Sequence, residues 1–525
     1  MPADRTQLAV NNICNIAWTL RESLLQDTVI PACPHSGGFA EENRESFFSV
    51  AERIWTGRND SKLESLWPFY FSLFNIIVIV CLMSLSTLIF SINAEAETTH
   101  EGDYQSLSLE DCLALAGKYN PTLSGARERI RELIADYQAA KSQFFPQLVL
   151  LSYYERLEPN RLPPGGSTGS PTQDFNKDEA FAGIAGKQIL FNGAKTYYSA
   201  QSSKIGAEAQ KQEVLRTGDE VTFSVTAAFY RVVEAKENLK VAEEALKQRQ
   251  EFLNLTEAFF KAGKVTQLDS FRAKSLVSEA EQARVEAENG LQLAREILAR
   301  TMGLNEQAQV DVRGRLPEEF SPAPDINSLW QVTLKSNPEI KRINLEIEQS
   351  GTLVKAAKGA YFPEVSLRGD IGTRHQDTGG TKGEWLAGVF IEFPFFEGGL
   401  TKAQVAAASS RSLQALERKQ DRLNSLKIEL ATAWQDQENA RQGVAATRQT
   451  VATNEEAYAS AQALYRNGKA IGLDVLQAQV DLTGSRFGLI RYEVNYEIAR
   501  ARVRQILGSQ DFESSQQNDK GGQKK

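Results

Sequence analysis

Phe362-Pro363-Glu364-Val365-Ser366-Leu367-Arg368-Gly369-Asp370-Ile371 is the stretch at which the chain changes period. Upstream, from Ser328 to Phe362, the sequence reads as helix, and proline ends it because it lacks an amide proton and restricts the residue before it. Downstream, Val365, Leu367, Gly369 and Ile371 fall on one side, with Glu364, Ser366, Arg368 and Asp370 on the other. That is the period of two of a strand with one apolar face. Trp385, Ala387, Val389, Ile391 and Phe393 continue the apolar set in a partner run, with Glu392 on the opposite side.

The same junction occurs earlier, at Phe145-Pro146 (362 − 145 = 217), and Asn120-Pro121 precedes Asn337-Pro338 by the same offset. In this register Lys118, Ile130, Ala139, Ala140, Lys141 and Leu150 meet identical residues at Lys335, Ile347, Ala356, Ala357, Lys358 and Leu367. Further on the offset becomes 205: Phe191-Asn192-Gly193 matches Phe396-Glu397-Gly398 (396 − 191 = 205). Gly263-Lys264 matches Gly468-Lys469, Leu268-Asp269 matches Leu473-Asp474, and Gly303 matches Gly508. The difference falls in a loop that carries Pro159-Asn160-Arg161-Leu162-Pro163-Pro164-Gly165-Gly166 in the first copy. The chain is therefore a tandem duplication, and pseudo-symmetric architecture follows.

Each copy reads as a helical stretch of roughly 35 residues (Leu109 to Phe145; Ser328 to Phe362), two strands, a helix of roughly 70 residues and another of roughly 35. Two half-length helices stacked end to end match the long one, which spans on the order of 100 Å at 1.5 Å per residue. A helix of that length needs a coiled-coil partner. Val232, Ala235, Leu239, Ala242, Leu246 and Leu253 keep 3-4 spacing with Arg249 as a charged intruder. The second copy's track is more polar: Gln437, Ala440, Val444, Thr447, Val451, Asn454 and Tyr458.

The strands, expected at 146–156, 180–191, 363–373 and 384–394, each have about the 9–11 residues that a tilted strand needs to cross a bilayer. Val365, Leu367, Val389 and Ile391 are the expected lipid-facing positions, and Ser366 is a lumen-facing position expected to tolerate charge. Aromatics gather near strand ends, at Phe144, Phe145, Tyr153, Tyr154, Phe181 and Phe191, then Tyr361, Phe362, Trp385, Phe393, Phe395 and Phe396, as a membrane-interface girdle does.

The double repeat, the Asn-Pro near the start of each copy, the Phe-Pro ahead of a strand, the Phe-x-Gly ahead of a long helix and Gly-Lys-x-x-x-Leu-Asp between helices resemble the TolC-type outer-membrane efflux protein family, over roughly Leu109 to Gly508. The resemblance implies an α+β membrane protein: long antiparallel coiled-coil helices form a periplasmic α-barrel, and four strands per chain contribute to a trimeric, 12-stranded transmembrane β-barrel. It implies a homotrimer in the outer membrane of a Gram-negative-type bacterium, serving as the exit duct of a tripartite efflux or type I secretion system. Its implied partners are a periplasmic adaptor (membrane fusion) protein, an inner-membrane pump and outer-membrane lipid. In that family the helix-helix turns form the periplasmic tip. Here they are 261–269, with Gly263, Lys264, Leu268 and Asp269, and 466–474, with Gly468, Lys469, Leu473 and Asp474. Pore-constriction candidates are Asp269, Asp474 and Gln477; a ring of three Gln477 would carry no charge. Read as helix ends alone, the glycines suit C-termini and the aspartates suit an N-cap or a first-turn acid of the next helix.

Composition agrees. A net charge of −8 and a pI near 5.4 argue against a nucleic-acid surface, and mean hydropathy of −0.36 argues against a polytopic helical membrane protein. Trp67 to Phe90, followed by Ser91-Ile92-Asn93-Ala94-Glu95-Ala96, resembles a signal-peptide core with an Ala-x-Ala site. The expected organisation is an N-terminal extension 1–66, signal peptide 67–96, repeat 1 at 97–304, linker 305–327, repeat 2 at 328–508 and a disordered tail 509–525. The alternative is a periplasmic coiled-coil scaffold anchored by residues 67–90. No catalytic constellation is expected: His35, His100 and His375 are far apart, and Gly165-Gly166-Ser167-Thr168-Gly169 lies in a turn-forming loop unsuited to a nucleophile elbow. No cofactor or metal is expected either.

Cleavage after Ala96 leaves Cys112 as the one thiol, a small core residue. Mass spectrometry of the membrane-bound protein is therefore expected to find an N-terminus near Glu97 and a single alkylatable cysteine. Peptides from before Trp67 in that fraction would favour the anchored scaffold.

Overall fold

A computed structural model describes residues 104–156, 178–305, 308–376 and 380–508. The expected extension 1–66 and signal peptide 67–96, the loop around Gly165 and the expected tail 509–525 lie outside the described residues.

Repeat 1 runs β1 (Tyr104–Leu107), α1 (Leu109–Tyr119), α2 (Pro121–Ser142), β2 (Gln147–Arg156), β3 (Asp178–Phe191), α3 (Lys195–Lys261) and α4 (Gln267–Met302). After β4 (Val310–Val312), repeat 2 runs α5 (Ile326–Ser336), α6 (Pro338–Lys358), a 3₁₀ turn (Gly359–Tyr361), β5 (Glu364–Gln376), β6 (Gly380–Glu392), α7 (Leu400–Arg466) and α8 (Gly472–Leu507). The long helices α3 and α7 have 67 residues each, and α4 and α8 have 36 each.

The 35-residue helices expected at the start of each copy are each two helices. Proline lacks the amide a continuous helix needs, so Pro121 and Pro338 take the first position of α2 and α6, where that amide would be unpaired anyway. Asn120 and Asn337 cap them: Asn120 Oδ1 accepts from the amides of Thr122 and Leu123, and Asn337 Oδ1 from those of Glu339 and Ile340. The other end of each amide also works. Asn120 Nδ2 donates to the Thr301 carbonyl at 2.9 Å, and Asn337 Nδ2 to the Ile506 carbonyl at 2.8 Å. Each asparagine thus fastens the start of an upper helix to the end of the helix returning from below. The joint is tight: a Cβ at Gly303, where φ is +83°, would lie 2.3 Å from the Tyr119 carbonyl oxygen.

Antiparallel hairpins α3/α4 and α7/α8 form the lower half, with α8 also against α3; above the joint, α2 and α6 flank α3, and α6 continues onto α7. Two polar residues in the coiled-coil tracks bond to the backbone of the facing helix. Arg249 Nη1 donates to the Leu276 carbonyl at 3.1 Å, and Asn454 Nδ2 to the Asp481 carbonyl at 3.0 Å. The two contacts are repeat mates at both ends (454 − 249 and 481 − 276 are both 205). The main core lies at the joint, where Cys112, Leu123, Val225, Val232, Leu298, Met302, Val310 and Val312 pack together. Burial pushes the Cys112 thiol up to about 12, so it is a packing residue.

The linker 305–327 is more than a tether. β4 pairs in parallel with β1, and the following segment is pinned to repeat 2: Arg448 Nη1 donates to the Glu318 carbonyl, Tyr496 Oη to Ser321 and Trp434 Nε1 to Pro324.

Asn337→Ala removes a cap worth about 1 kcal/mol and leaves the Ile506 carbonyl without its partner at about 1–3 kcal/mol. Hydrogen exchange is expected to speed up at both the start of α6 and the end of α8. Acceleration at α6 alone would mean that the clasp to α8 contributes nothing.

Candidate functional site

The four main strands form one antiparallel sheet in the order β2-β3-β5-β6. Outside the register shift at Ile189–Phe191, alternation assigns the side chains to one of two faces. Val365 faces Ile391, Leu367 faces Val389, Gly369 faces Ala387 and Ile371 faces Trp385; across β3, Ile184 lies beside Ile371, and Leu150 beside Ile184. From 148 to 154, 180 to 188, 365 to 373 and 383 to 391 that face carries no charged residue. Leu367, Val389 and Ile391 are exposed, 45%, 61% and 71%, while Val365 is half-buried beside Phe191.

Charges gather on the opposite face. Lys187 Nζ pairs with Glu364 at 2.7 Å, Arg368 with Glu392 at 3.2 Å, and Arg374 with both Glu384 and Glu179. Tyr153 stacks on Phe181, and the Arg374 guanidinium lies over that ring. Ser366 is on this face as expected, yet it is only 1% exposed, because Arg368 covers it and donates to its Oγ at 3.1 Å. It is no site for an added charge; Asp370, half-buried on the same face, is the better one.

The two helix-helix turns share their backbone. Gly263 (φ +71°) and Gly468 (φ +69°) take the left-handed position that ends α3 and α7, with Lys264 N donating to Phe259 O and Lys469 N to Leu464 O, 2.9 Å in both. The next helix is then capped. Asp269 Oδ2 accepts from Thr266 N at 3.0 Å and Thr266 Oγ1 at 2.7 Å, and Thr266 Oγ1 accepts in turn from Asp269 N. These bonds to Thr266 hold the Asp269 carboxyl below its usual range. In the second turn Asp474 Oδ2 accepts from Ile471 N at 3.2 Å and Asp474 N donates to the Ile471 carbonyl at 3.1 Å, but Ile471 has no side-chain oxygen to match that of Thr266. Both aspartates are thus engaged with their own turns.

Lys264 leans over the Phe259 ring, and Lys469 is exposed. Leu268 and Leu473 are 55% and 65% exposed, beside exposed Phe271 and Ile471. Gln477 is exposed and donates to Asp481 at 3.0 Å, which brings a carboxylate one helical turn from the uncharged position. Asp481 was legible as the i+4 neighbour of Gln477 on the same helix face.

One residue escaped the sequence reading. Tyr465, in the last turn of α7, is buried against Phe252 and Phe259 of α3, with centroids 5.4 and 5.5 Å away, and its hydroxyl is 3.4 Å from Thr256 Oγ1. Its repeat mate Phe260 is exposed. The two tips are therefore joined by Tyr465 of the second copy packed on Phe252 and Phe259 of the first, while Phe260 stays exposed. No periodic signal separates these mates.

The family model for outer membrane efflux proteins matches the chain twice, over residues 113–304 and 329–509. Outer membrane efflux protein BepC of Brucella suis biovar 1 is 25% identical over 404 residues, 75% of this chain and 84% of that protein. Among solved structures, VceC of Vibrio cholerae aligns with a TM-score of 0.65 and 19% identity, over 76% of this chain and 96% of that one. The CmeC outer membrane channel of Campylobacter jejuni gives 0.68 and 18%, over 82% and 93%. At these identities the structural likeness carries the fold: long helices joined to antiparallel strands.

The difference between the two caps is measurable. Asp269→Ala, which removes the third-residue half of a capping box whose N-cap is Thr266, is expected to destabilise the start of α4 by about 0.3–1.5 kcal/mol and Asp474→Ala to disturb α8 less, read as hydrogen exchange at each turn. Because the Asp269 carboxyl is lowered in the folded state, its contribution is present at neutral pH and is lost only as pH falls through that lowered value. Equal effects of the two variants would show that the reciprocal bond from Thr266 adds nothing.

Proposed function

The chain belongs to the outer membrane efflux protein family, and from that premise we propose that three copies close into one passive exit duct, with β2–β3–β5–β6 in the membrane and the helices forming a periplasmic tunnel. The observation that carries this reading is the coincidence of free edges. The sheet ends at β2 and β6; the upper helical layer, in the order α2-α3-α6-α7, ends at α2 and α7; the lower, α4-α3-α8-α7, ends at α4 and α7. One flank is thus β2, α2 and α4, and the other β6 and α7. A flank of one kind meeting the other kind on the next copy generates a ring. Strand edges in hydrocarbon must be paired, since no water is there to satisfy them. Two copies would give eight strands, a barrel that side chains fill; three give 3 × 4 = 12, which leaves a lumen.

The uncharged face, with Leu367, Val389, Ile391 and the half-buried Val365, then meets lipid, and the charged face lines the channel. Leu268 and Leu473, with Gly263, Lys264, Gly468 and Lys469 shaping the turns, form the surface on which a periplasmic adaptor docks. Asp269, Asp474 and Gln477 lie at the end where the tunnel narrows. An inner-membrane pump supplies energy and chooses the substrate, so that substrate passes to the medium without release into the periplasm.

Two variant sets test this reading. Leu367→Arg would place charge in hydrocarbon at about 2–4 kcal/mol per site near the midplane and is expected to abolish trimer insertion, whereas Asp370→Arg is expected to insert. Leu473→Asp is expected to keep the trimer mass in detergent while efflux fails, because it alters only the docking surface. A stable monomer with full strand content would overturn the shared barrel. Normal efflux in Leu473→Asp would leave the turns as helix connectors.

A further inference from the structure

Where the helices meet the strands, the chain departs from its overall acidity. The residues of that level, 139–146, 191–198, 355–363 and 393–402, contain Lys141, Lys195, Lys355, Lys358 and Lys402 against the single carboxylate of Glu397, although the whole chain carries −8. All five lysines are exposed, and none forms an ion pair among the described residues. Lys141 Nζ lies over the Tyr137 ring at 5.5 Å and Lys355 Nζ over the Tyr198 ring at 5.8 Å, cation–π contacts that neutralise no charge.

Helix electrostatics accounts for only part of this collar. Lys141, Lys355 and Lys358 end α2 and α6, where a cation suits the dipole, but Lys195 and Lys402 sit in the first turns of α3 and α7, where it does not, and neither first turn has an acidic residue. Directly beside the lysines is the aromatic girdle: Phe395 and Phe396 are 89% and 81% exposed, with Phe145 and Phe362 also exposed. The level is fixed, since the Phe191 and Phe362 rings meet edge to face at 6.4 Å and Gln188 Nε2 donates to the Phe144 carbonyl at 3.1 Å.

Resting on the reading of the strands as membrane-spanning, we propose that this lysine collar binds the anionic phospholipid headgroups of the leaflet nearer the helices. The girdle sets the depth at which the acyl boundary lies. Beyond it, headgroup phosphates are the anions at the height of the collar, and three copies of the chain place fifteen lysines (3 × 5) around the rim. Attraction of a lysine to an anionic lipid surface is worth about five-fold in binding per residue.

The test uses the full chain reconstituted in nanodiscs of phosphatidylcholine mixed with phosphatidylglycerol, with retained lipid read by native mass spectrometry. Wild type is expected to retain phosphatidylglycerol at least ten-fold over its share of the bilayer. The variant K141Q/K195Q/K355Q/K358Q/K402Q is expected to fall to that share with its trimer mass unchanged. A control removing Lys204, Lys211, Lys240, Lys247 and Lys274 from the tunnel helices is expected to keep the enrichment. No enrichment in wild type, or equal enrichment in the collar variant, overturns the proposal. So does displacement by inorganic phosphate when chloride of the same ionic strength has no effect, which would mark a site for a free anion. Failure of wild type to insert in either lipid would instead overturn the membrane reading of the strands, so the two ideas fail separately.

Discussion

An unpaired strand edge inside hydrocarbon leaves amide and carbonyl groups with neither water nor protein to bond, at a cost of several kcal/mol each. The sheet β2-β3-β5-β6 has two such edges, and the chain has no fifth strand of comparable length among the described residues to cover them. Much of the architecture reads as a response to that constraint. The sheet has one uncharged face and one charged face, so it suits a wall between lipid and water. The helices continue the same order downward, so the two flanks open in the sheet are also open in the helical layers. Closure of one demands closure of the other.

Length creates the second problem. A helix of 67 residues cannot bury a face against an ordinary core, and here each has an antiparallel 36-residue partner below the joint and a shorter helix above. The joint has to end three helices at one level without leaving buried carbonyls unsatisfied. One residue type does it in both copies: asparagine accepts two amides at the start of α2 or α6 and donates to the last turn of α4 or α8. Lower down, Arg249 and Asn454 differ in charge yet reach equivalent backbone carbonyls, those of Leu276 and Asp481, on their partner helices. Duplication has preserved the contact while changing the side chain.

The copies differ where the chain turns at the tips. Thr266 and Asp269 cap each other through their side chains, whereas Ile471 offers Asp474 backbone groups alone. Tyr465 is buried against α3, and its mate Phe260 is exposed. The second tip therefore has the weaker cap on its outgoing helix but the aromatic that ties it to its neighbour. Two turns of nearly the same backbone are thus held in place by different forces.

The sequence alone determined what depends on local chemistry and period: the duplication, the strand faces from alternation at Val365 to Ile371, the left-handed ends at Gly263 and Gly468, and the aspartate caps. These follow from rules acting within a few residues, and so they are legible in order along the chain. Tertiary structure decided the rest. The break at Asn120 and Asn337 was visible as a motif, but its purpose depends on carbonyls 181 and 169 residues away. Ser366 reads as open to the lumen, but Arg368 covers it, and Tyr465 matches Phe260 in sequence although only Tyr465 is buried. The linker read as spacer because its anchors, Arg448, Trp434 and Tyr496, lie on helices far along the chain. Alternation states which side a residue faces; only packing states what is already there.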